Sequence, residues 1–289
     1  MELYNEYERY SRQIQLKDFG MEGQQKLGRA RVLVVGAGGL GCPILLYLAA
    51  AGVGNLGIVD HDRVAIHNLH RQVLYRTPDI GKLKAEIAAE HLQQLNPGIR
   101  IHAYTDWLNS ANAAAILSNY DLVIDGSDNF ATRYMINDAC VLLGKPLVYG
   151  AIAEFEAQVA LFNAARENEI SANYRDIFPE PPSPGEVLNC AEAGVLGILP
   201  GITGTIMANE AIKLLTGIGQ PLINRLYTFN ALTYQTLELE IRAGSSTRSL
   251  IPANLETFAQ TDYEWLCSSK DALAELDHGA FGDLCEQPG

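Results

Sequence analysis

The sequence predicts an α/β fold in which a mostly parallel sheet carries helices on both faces. Through residues 31–152, short runs rich in Val, Leu and Ile alternate with amphipathic segments of helical length. Such alternation with short connections is typical of repeated strand–helix units. In the second half, strand-like runs near 222–229 and 233–241 lie close together in the chain. They indicate a hairpin, so we expect antiparallel strands to extend the sheet.

The first half of the chain supplies most of the predicted elements. Continuous apolar runs bounded by Gly, Asn or Asp are typical of strands buried on both faces, whereas apolar residues three and four apart are typical of helices. The predicted strands are 31–35, 56–60, 99–104, 120–128 and 146–152. The predicted helices are 39–52, 82–96 and 129–144.

The second half is less regular. A strand is predicted at 157–163, after which residues 164–190 lose periodicity and cluster their prolines, as in "FPEPPSPG". Long irregular segments inside a domain are usually functional or mobile. A helix follows at 195–216. Beyond residue 244 the chain is Ser-rich and then acidic, and we expect a weakly packed tail there.

Composition limits the classes of partner. The 289 residues carry a net charge of −13, which argues against nucleic acid or an anionic membrane surface as the main partner. The five cysteines are scattered and odd in number, which favours a reducing, cytoplasmic location over a disulfide framework. The apolar stretches 32–54 and 195–215 are interrupted by Gly or Pro, so we expect a soluble chain with no membrane span.

A glycine-rich turn follows the first predicted strand. The stretch "VVGAGGLG" fits the pattern G-x-G-x-x-G through Gly36, Gly38 and Gly41, and Asp60 follows the second strand. In a Rossmann-like sheet, such a turn receives phosphates at a helix N-terminus and the acid binds a ribose. The motif alone leaves open whether the ligand is a dinucleotide such as NAD or another adenine nucleotide.

Further polar residues follow the second and fourth strands. The span after Asp60 contains Asn68, Arg71, Gln72 and Lys84. Ligands of open parallel sheets lie at the carboxyl ends of strands, so we expect these side chains to converge there. A dehydrogenase has no need of them. Fixed cations lower the barrier when an anionic carboxylate attacks a phosphate, which favours nucleotidyl transfer.

The fourth strand ends in the acids of "DGSDN". Asp128 is a plausible Mg²⁺ ligand, because Mg²⁺ prefers hard oxygen ligands. Each residue also has a simpler interpretation. Asp128 could cap the helix that begins near Asn129, and Lys84 could belong to the solvated face of its helix.

Taken together, these motifs resemble those of the ubiquitin-activating-enzyme superfamily, in its MoeB/ThiF adenylyltransferase branch. The resemblance covers residues 8–241, about four-fifths of the chain. Its segments, in family order, are "RYSRQI", "VLVVGAGGLGCP", "AGVGNLGIVDHDRVAIHNLHRQVLY", "GKLKA", "DGSDNFATRYMINDAC", "FPEPP", "NCAEAGVLGILPG" and "GTIMANEAIKLLTG".

The resemblance implies that the glycine loop holds ATP with Mg²⁺ rather than NAD. The resemblance also implies that Asp60 binds the ribose and that Asp128 contacts the metal. Arg12 resembles an arginine finger that is donated across a homodimer interface. The implied nucleotide-binding residues are Gly36, Gly38, Gly39, Gly41, Asp60, Asp62, Asn68, Arg71, Gln72, Lys84, Asp128 and Asn129.

The implied reaction is adenylation of the C-terminal Gly-Gly carboxylate of a ubiquitin-like sulfur carrier, for molybdopterin or thiamine biosynthesis. A separate protein would donate the sulfur. Residues 1–244 would form one adenylation domain, with an ATP-binding half at 1–152, a carrier-binding half at 153–244 and a mobile crossover loop at 164–190. Residues 245–289 would form an acidic extension. Alternatives are a non-catalytic scaffold subunit and an enzyme that activates a carboxylate on modified tRNA, against which the net charge speaks.

The chain departs from the resemblance in two places. Many relatives bind zinc through two C-x-x-C pairs, but here Asn173 and Asp176 occupy the first pair of positions. The second pair is missing from "RAGSSTRSL", so we expect no zinc and a loop that is mobile or held by packing. Cys190 matches a position that forms a covalent link with the carrier in some relatives. Its alternative interpretation is a buried small residue.

Overall fold

An eight-stranded mixed sheet forms the centre of the computed structural model, which describes residues 6–164, 171–182 and 194–268. The strand order is β3-β2-β1-β4-β5-β6-β7-β8. Strands β1 to β5 are parallel, and β5 to β8 are antiparallel. The strands are β1 (Arg31–Val35), β2 (Asn55–Val59), β3 (Arg100–Tyr104), β4 (Leu122–Asp125), β5 (Leu147–Ala153), β6 (Glu156–Phe162), β7 (Arg225–Asn230) and β8 (Thr236–Glu240).

Helices cover both faces of the sheet, which confirms the predicted fold class. They are α1 (Glu6–Ile14), α2 (Gly20–Arg29), α3 (Gly41–Ala51), α4 (Lys84–Leu95), α5 (Ser110–Leu117), α6 (Phe130–Leu143), α7 (Ile198–Thr216), α8 (Ser245–Arg248), α9 (Leu255–Gln260) and α10 (Tyr263–Ser268). The sequence did not predict α1, α2 or α5. No helix in the described ranges is both long and apolar enough to cross a lipid bilayer.

Strand β1 shows how the two faces are divided. Val32 and Val34 belong to a core with apolar residues of α3, α4 and α7, whereas Leu33 and Val35 belong to a second core with α5 and α6. All four side chains are buried. Successive residues of a strand point to opposite faces, so a continuous apolar run is needed when both faces are covered. That is why this strand reads as RVLVV rather than as an alternating pattern.

The turn between β1 and α3 depends on glycine. Gly36 has a φ of 90°, and a Cβ there would lie 2.7 Å from the carbonyl oxygen of Gly126. A Cβ on Gly41 would lie 1.9 Å from the carbonyl oxygen of Gly36. Any side chain at either position would collide with backbone. The two glycines therefore allow the chain to fold tightly against the end of β4, which sets the floor of the cleft described below.

The expectation of a weakly packed tail is wrong for residues 245–268. Phe258 is completely buried and Tyr263 nearly so, within the core formed by α5 and α6. The Tyr263 hydroxyl donates a hydrogen bond of 2.8 Å to Oδ2 of Asp138 on α6. Two buried aromatic side chains supply enough apolar area to dock this otherwise polar segment. The tail beyond residue 268 lies outside the described residues.

Part of the proline-rich loop is also held in place. Arg175, in a turn of 3₁₀ helix, forms a buried, bidentate pair with Asp138 at 2.9 Å and 2.8 Å. Of the two expectations for this loop, mobile or held by packing, residues 171–182 fit the second, since packing and hydrogen bonds hold them. The remainder of 164–190, apart from Ala164, lies outside the described residues.

Asp176, at one of the two positions where many relatives carry the first cysteine pair, is hydrogen-bonded to the segment that follows β8. Asp176 accepts hydrogen bonds from the backbone N–H of Asn173 at 2.8 Å, the backbone N–H of Gly244 at 2.9 Å, and the hydroxyl of Thr247. Gly244 and Thr247 have the same three-residue spacing as Asn173 and Asp176. We call these four residues the Asp176 cluster. It joins the root of the loop to the start of the C-terminal segment.

Candidate active site

A cleft of about 300 Å³ opens at the carboxyl ends of β1, β2 and β4. It contains most of the residues that the sequence singled out. Those lining it are Gly36, Gly38, Gly39, Asp60, Asp62, Asn68, Arg71, Gln72, Lys84, Asp128 and Asn129. Gly41 is the first residue of α3 and is not among the residues that line the cleft. The N-terminus of α3 faces the cleft, which is a favourable place for an anion.

Asp60 is fixed at the end of β2 by backbone donors. Its Oδ2 accepts from the N–H of Ala37 in the glycine loop at 2.8 Å, and its Oδ1 accepts from the N–H of Asp62 at 2.9 Å. Burial raises the pKa of Asp60, although the Lys84 charge and these hydrogen bonds oppose the rise. Each oxygen has a further acceptor site, so a pair of vicinal hydroxyls suits this carboxylate.

Lys84 and Asp62 form an ion pair beside Asp60. Lys84 is the first residue of α4, and its Nζ lies 2.9 Å from Oδ2 of Asp62. The Lys84 side chain is buried whereas that of Asp62 is half exposed. Lys84 therefore does not lie on a solvated helix face, which excludes that interpretation. A buried ammonium needs compensating negative charge, which Asp62 supplies and which a phosphate can also supply.

Gln72 places an unsatisfied polar atom next to the glycine loop. The residue is 3% exposed, and its Oε1 has no hydrogen-bond partner within the described residues. Its Nε2 lies 3.7 Å from the point where a Cβ on Gly38 would be. Leaving a buried amide atom unpaired is costly, so we expect it to gain a partner when a polar ligand enters. The cleft is thus suited to a polar occupant at this point.

Arg71 and Asn68 stand on the same wall. Nη1 of Arg71 donates to the carbonyl oxygen of His67 at 3.0 Å, and the remaining guanidinium donors are available to an anion. The Oδ1 of Asn68 accepts from the N–H of Ala65 at 2.9 Å, which fixes the turn of 3₁₀ helix that carries this wall. A Cβ on Gly39 would lie 3.6 Å from Cδ of Arg71, so the loop and the arginine are in close contact.

Asp128 and Asn129 form the opposite wall, at the start of α6. The Oδ1 of Asn129 accepts from the N–H of Thr132 at 2.8 Å, so Asn129 is the helix cap and Asp128 is not. Asp128 is exposed at the cleft. Across the described part of the chain, no group of three or more His, Cys, Asp or Glu side chains is arranged to hold a metal. One carboxylate that acts together with substrate phosphates is nevertheless a usual arrangement for Mg²⁺.

Several residues that line the cleft were not predicted from the sequence. His61, Trp107, Leu108 and Arg133 all line the cleft. Arg133 is buried one turn into α6, and its Nη2 lies 3.3 Å from the carbonyl oxygen of Ser127. The signal available for Arg133 was its distance of one helical turn from the capping Asn129. Trp107 has no local motif and is brought to the cleft by the strand order alone.

Arg12 does not line the cleft. It lies exposed on α1, and the next residue, Gln13, donates to the carbonyl oxygen of Ala51 at the C-terminal end of α3. At 1.5 Å per residue, α3 separates that end from the glycine loop by about 16 Å. Cys190 lies outside the described residues. Cys42 and Cys140 are fully buried, as expected of core residues, and burial raises the pKa of Cys42 to about 12.

Comparisons with known proteins identify the family of the chain. Residues 10–249 match the model of the ThiF family. A sulfur carrier protein adenylyltransferase of Thermus thermophilus is 55% identical over 82% of this chain and 88% of its own length. A probable adenylyltransferase/sulfurtransferase MoeZ of Mycobacterium tuberculosis is 47% identical over 91% of this chain. This chain spans 65% of that longer relative.

Solved structures agree on the fold. The crystal structure of E. coli MccB with MccA-N7isoASN superposes with a TM-score of 0.72 over 83% of this chain and 73% of that one, at 20% identity. The fold and the family match place the chain in the E1-like adenylyltransferase class. The chain belongs to the ThiF family, and it is an adenylyltransferase.

Proposed function

We propose that the enzyme uses ATP to adenylate the C-terminal Gly-Gly carboxylate of a ubiquitin-like sulfur carrier. The observation that carries the proposal is the convergence of the glycine loop, Asp60 and the Lys84–Asp62 pair in one cleft. The name of the Thermus relative supports the class of substrate. An extended tail without side chains is also the segment best able to reach a confined phosphate.

The chemistry is a displacement at the α-phosphate of ATP. A carboxylate oxygen of the carrier forms a bond to phosphorus, the bond to the β-phosphate oxygen breaks, and pyrophosphate leaves with that electron pair. The carboxylate of Asp60 accepts hydrogen bonds from the ribose hydroxyls. The Arg71 and Lys84 cations lie where they can neutralise the negative charge that develops on the phosphates. Asp128 would hold Mg²⁺, which supplies further charge neutralisation when bound.

The proposal includes a homodimer. The position of Arg12 supports this part, because its neighbour Gln13 contacts the end of α3 that lies about 16 Å from the glycine loop, and Arg12 does not line the cleft. In this proposal the Arg12 side chain that completes each cleft comes from a second copy of the chain. Isologous contact of two identical chains would supply one arginine to each of two clefts.

Sulfur transfer would follow adenylation and needs a separate donor protein. The acyl-adenylate is then open to attack by sulfur, with AMP as the leaving group. Cys190 is the proposed residue for a covalent link to the carrier. Whether the product serves molybdopterin or thiamine synthesis depends on which carrier the enzyme accepts. The free thiols of Cys42, Cys140 and Cys267 support a reducing, cytoplasmic setting.

The test is ATP–pyrophosphate exchange by the purified protein, alone and with each candidate carrier from the same genome that ends in Gly-Gly. We expect exchange with one carrier, and that carrier names the pathway. The control is the same carrier with its final glycine removed, which should give no exchange. If ATP binds but no carrier promotes exchange, the proposed substrate is wrong.

A further inference from the structure

The strand order sets out three kinds of group along the edge of the cleft. β1, β2 and β3 are neighbours in that order, and their carboxyl ends carry the glycine loop, Asp60 and, three residues past β3, Trp107. Along this edge the glycine loop comes first, then the Asp60 carboxylate, then the Trp107 ring. This is the order in which a nucleotide presents its triphosphate, its ribose and its base. Trp107 and Leu108 both line the cleft, with Leu108 buried beneath.

Trp107 is held in place yet remains accessible. The ring of His61, the residue after Asp60, lies 4.2 Å from the indole between centroids and is tilted by 57°. Trp107 is 50% exposed. A large aromatic side chain fixed by a neighbour and left half open is suited to receive a flat ligand, because stacking removes apolar surface from water on both partners.

We propose that Trp107 forms the stacking wall for the adenine base of ATP, an inference that rests on the proposed function. Asp60 fixes the ribose between the triphosphate and the base. With the triphosphate at the glycine loop, the base therefore extends toward β3, where Trp107 and Leu108 are the apolar surfaces. Stacking recognises the aromatic face of a base and contributes affinity for the nucleotide as a whole. Trp107 is accordingly a nucleotide-binding residue that makes no contact with the reacting phosphate.

Fluorescence locates the contact, because the chain has two tryptophans, Trp107 and Trp265. Trp265 lies on α10 and does not line the cleft. Titration with ATP, without carrier, should change the emission of wild type and Trp265→Phe. It should leave Trp107→Phe, whose emission comes from Trp265, unchanged. An ATP-dependent change confined to Trp265 would overturn the proposal.

Affinity measures the stacking itself. By calorimetry, Trp107→Ala should bind ATP about tenfold more weakly, and Trp107→Phe should recover most of the loss. Inorganic tripolyphosphate, which has no base, should bind wild type and Trp107→Ala equally. Trp265→Ala is the matched control, with unchanged ATP affinity.

Each other outcome is informative. Equal weakening of ATP and tripolyphosphate would mean a general distortion of the cleft and would overturn the stacking role, as would unchanged ATP affinity in Trp107→Ala. A protein that binds no ATP would overturn the proposed function together with this inference. A Trp107-dependent affinity for ATP without carrier-dependent exchange would leave the stacking role standing and would refute the carrier substrate alone.

Discussion

Arg175 and Asp138 form a buried ion pair, 2.8 Å between Nη2 and Oδ2, that joins the proline-rich loop to α6. Tyr263 of the C-terminal segment donates to the same carboxylate oxygen. Asp138 is fully buried and Arg175 is 3% exposed. One carboxylate thus connects three parts of the chain that are distant in sequence. Removing one of its partners should lower the free energy of unfolding, because it leaves a buried charge less well compensated.

Removal of the Tyr263 hydroxyl tests this connection. Tyr263→Phe keeps the ring but leaves the Asp138 carboxylate with one donor fewer, so we expect the free energy of unfolding to fall by about 1–3 kcal/mol. Urea denaturation measures the change. Tyr47→Phe, at an exposed tyrosine, is the control and should have no effect. Equal midpoints for Tyr263→Phe and wild type would mean that the hydrogen bond from Tyr263 to Asp138 does not stabilise the domain.

The Asp176 cluster makes a second prediction about stability. Thr247→Val removes one donor to the Asp176 carboxylate at nearly constant volume and should lower the free energy of unfolding by about 1–2 kcal/mol. Thr247→Ser keeps the hydroxyl and should retain most of the stability. We expect EDTA to leave the melting temperature of all three proteins unchanged. A melting temperature that drops on chelation would show that a metal holds this region.

The Lys84–Asp62 pair predicts a pH dependence of stability. Burial disfavours ionisation of Asp62, but the hydrogen bond and charge of Lys84 outweigh it and hold the pKa of Asp62 below its usual value of 3.8. The unfolded chain therefore takes up this proton at a higher pH than the folded chain. The contribution to stability is present above pH 3.8 and is lost as pH falls through the lowered pKa.

Asp62→Asn should flatten the acid limb of the stability curve below about pH 4, by less than about 1 kcal/mol because the carboxylate is half exposed. The measurement is the urea midpoint between pH 2 and pH 5, a window that brackets the ordinary pKa of an Asp carboxyl group. Asp106→Asn, at an exposed acid, is the control. If the curves of Asp62→Asn and wild type run parallel, Lys84 does not stabilise the Asp62 carboxylate in solution.

Two adjacent residues at the start of α6 should have separable effects. Asn129→Ala removes the helix cap and should lower stability by about 1 kcal/mol. Asp128→Ala should leave stability within about 0.5 kcal/mol, because Asp128 is exposed, yet reduce pyrophosphate exchange about a hundredfold or more. Denaturation and exchange assays on both variants decide. Loss of stability in Asp128→Ala would indicate a structural role instead.

A mixing experiment tests the donation of Arg12 across a dimer. Arg12→Ala should lose about a thousandfold in exchange activity, and Asp128→Ala about a hundredfold or more. After unfolding and joint refolding in equal amounts, half of the dimers contain one intact cleft, so about a quarter of wild-type activity should return. A mixture of Asp128→Ala with Lys84→Ala repairs no cleft and is the control. No recovery in the first mixture would mean that Arg12 serves its own protomer or neither.

The sequence predicts most of the sheet because its signals are local. Strand β1, the glycine loop and Asp60 follow one another within 30 residues, and each constrains the next. The helices α1 and α2 were missed because their residues are mostly polar. Their burial depends on distant partners: Lys26 on α2 donates to the carbonyl oxygen of Thr216 at the end of α7, and Leu27 is fully buried.

The sequence predicts the lining residues of the cleft that belong to recognisable motifs, and it does not predict the others. Arg71 and Lys84 lie in a span rich in polar residues, which the strand-end rule assigns to the site. Trp107 and Arg133 carry no such mark, because their place in the cleft follows from strand order and helix geometry. Phe258 and Tyr263 were likewise hidden in an acidic segment, since two apolar residues five apart give no clear periodicity.

The Asp176 cluster also bears on how the protein withstands oxidation. Where cysteine thiolates hold a zinc ion in a protein, oxidants can convert the sulfur atoms to disulfides or oxyacids and release the metal. Asn173, Asp176, Gly244 and Thr247 contain no sulfur, and their contacts are hydrogen bonds within the chain. These four residues therefore offer peroxide no sulfur atom to oxidise, and the hydrogen bonds between them need no metal ion.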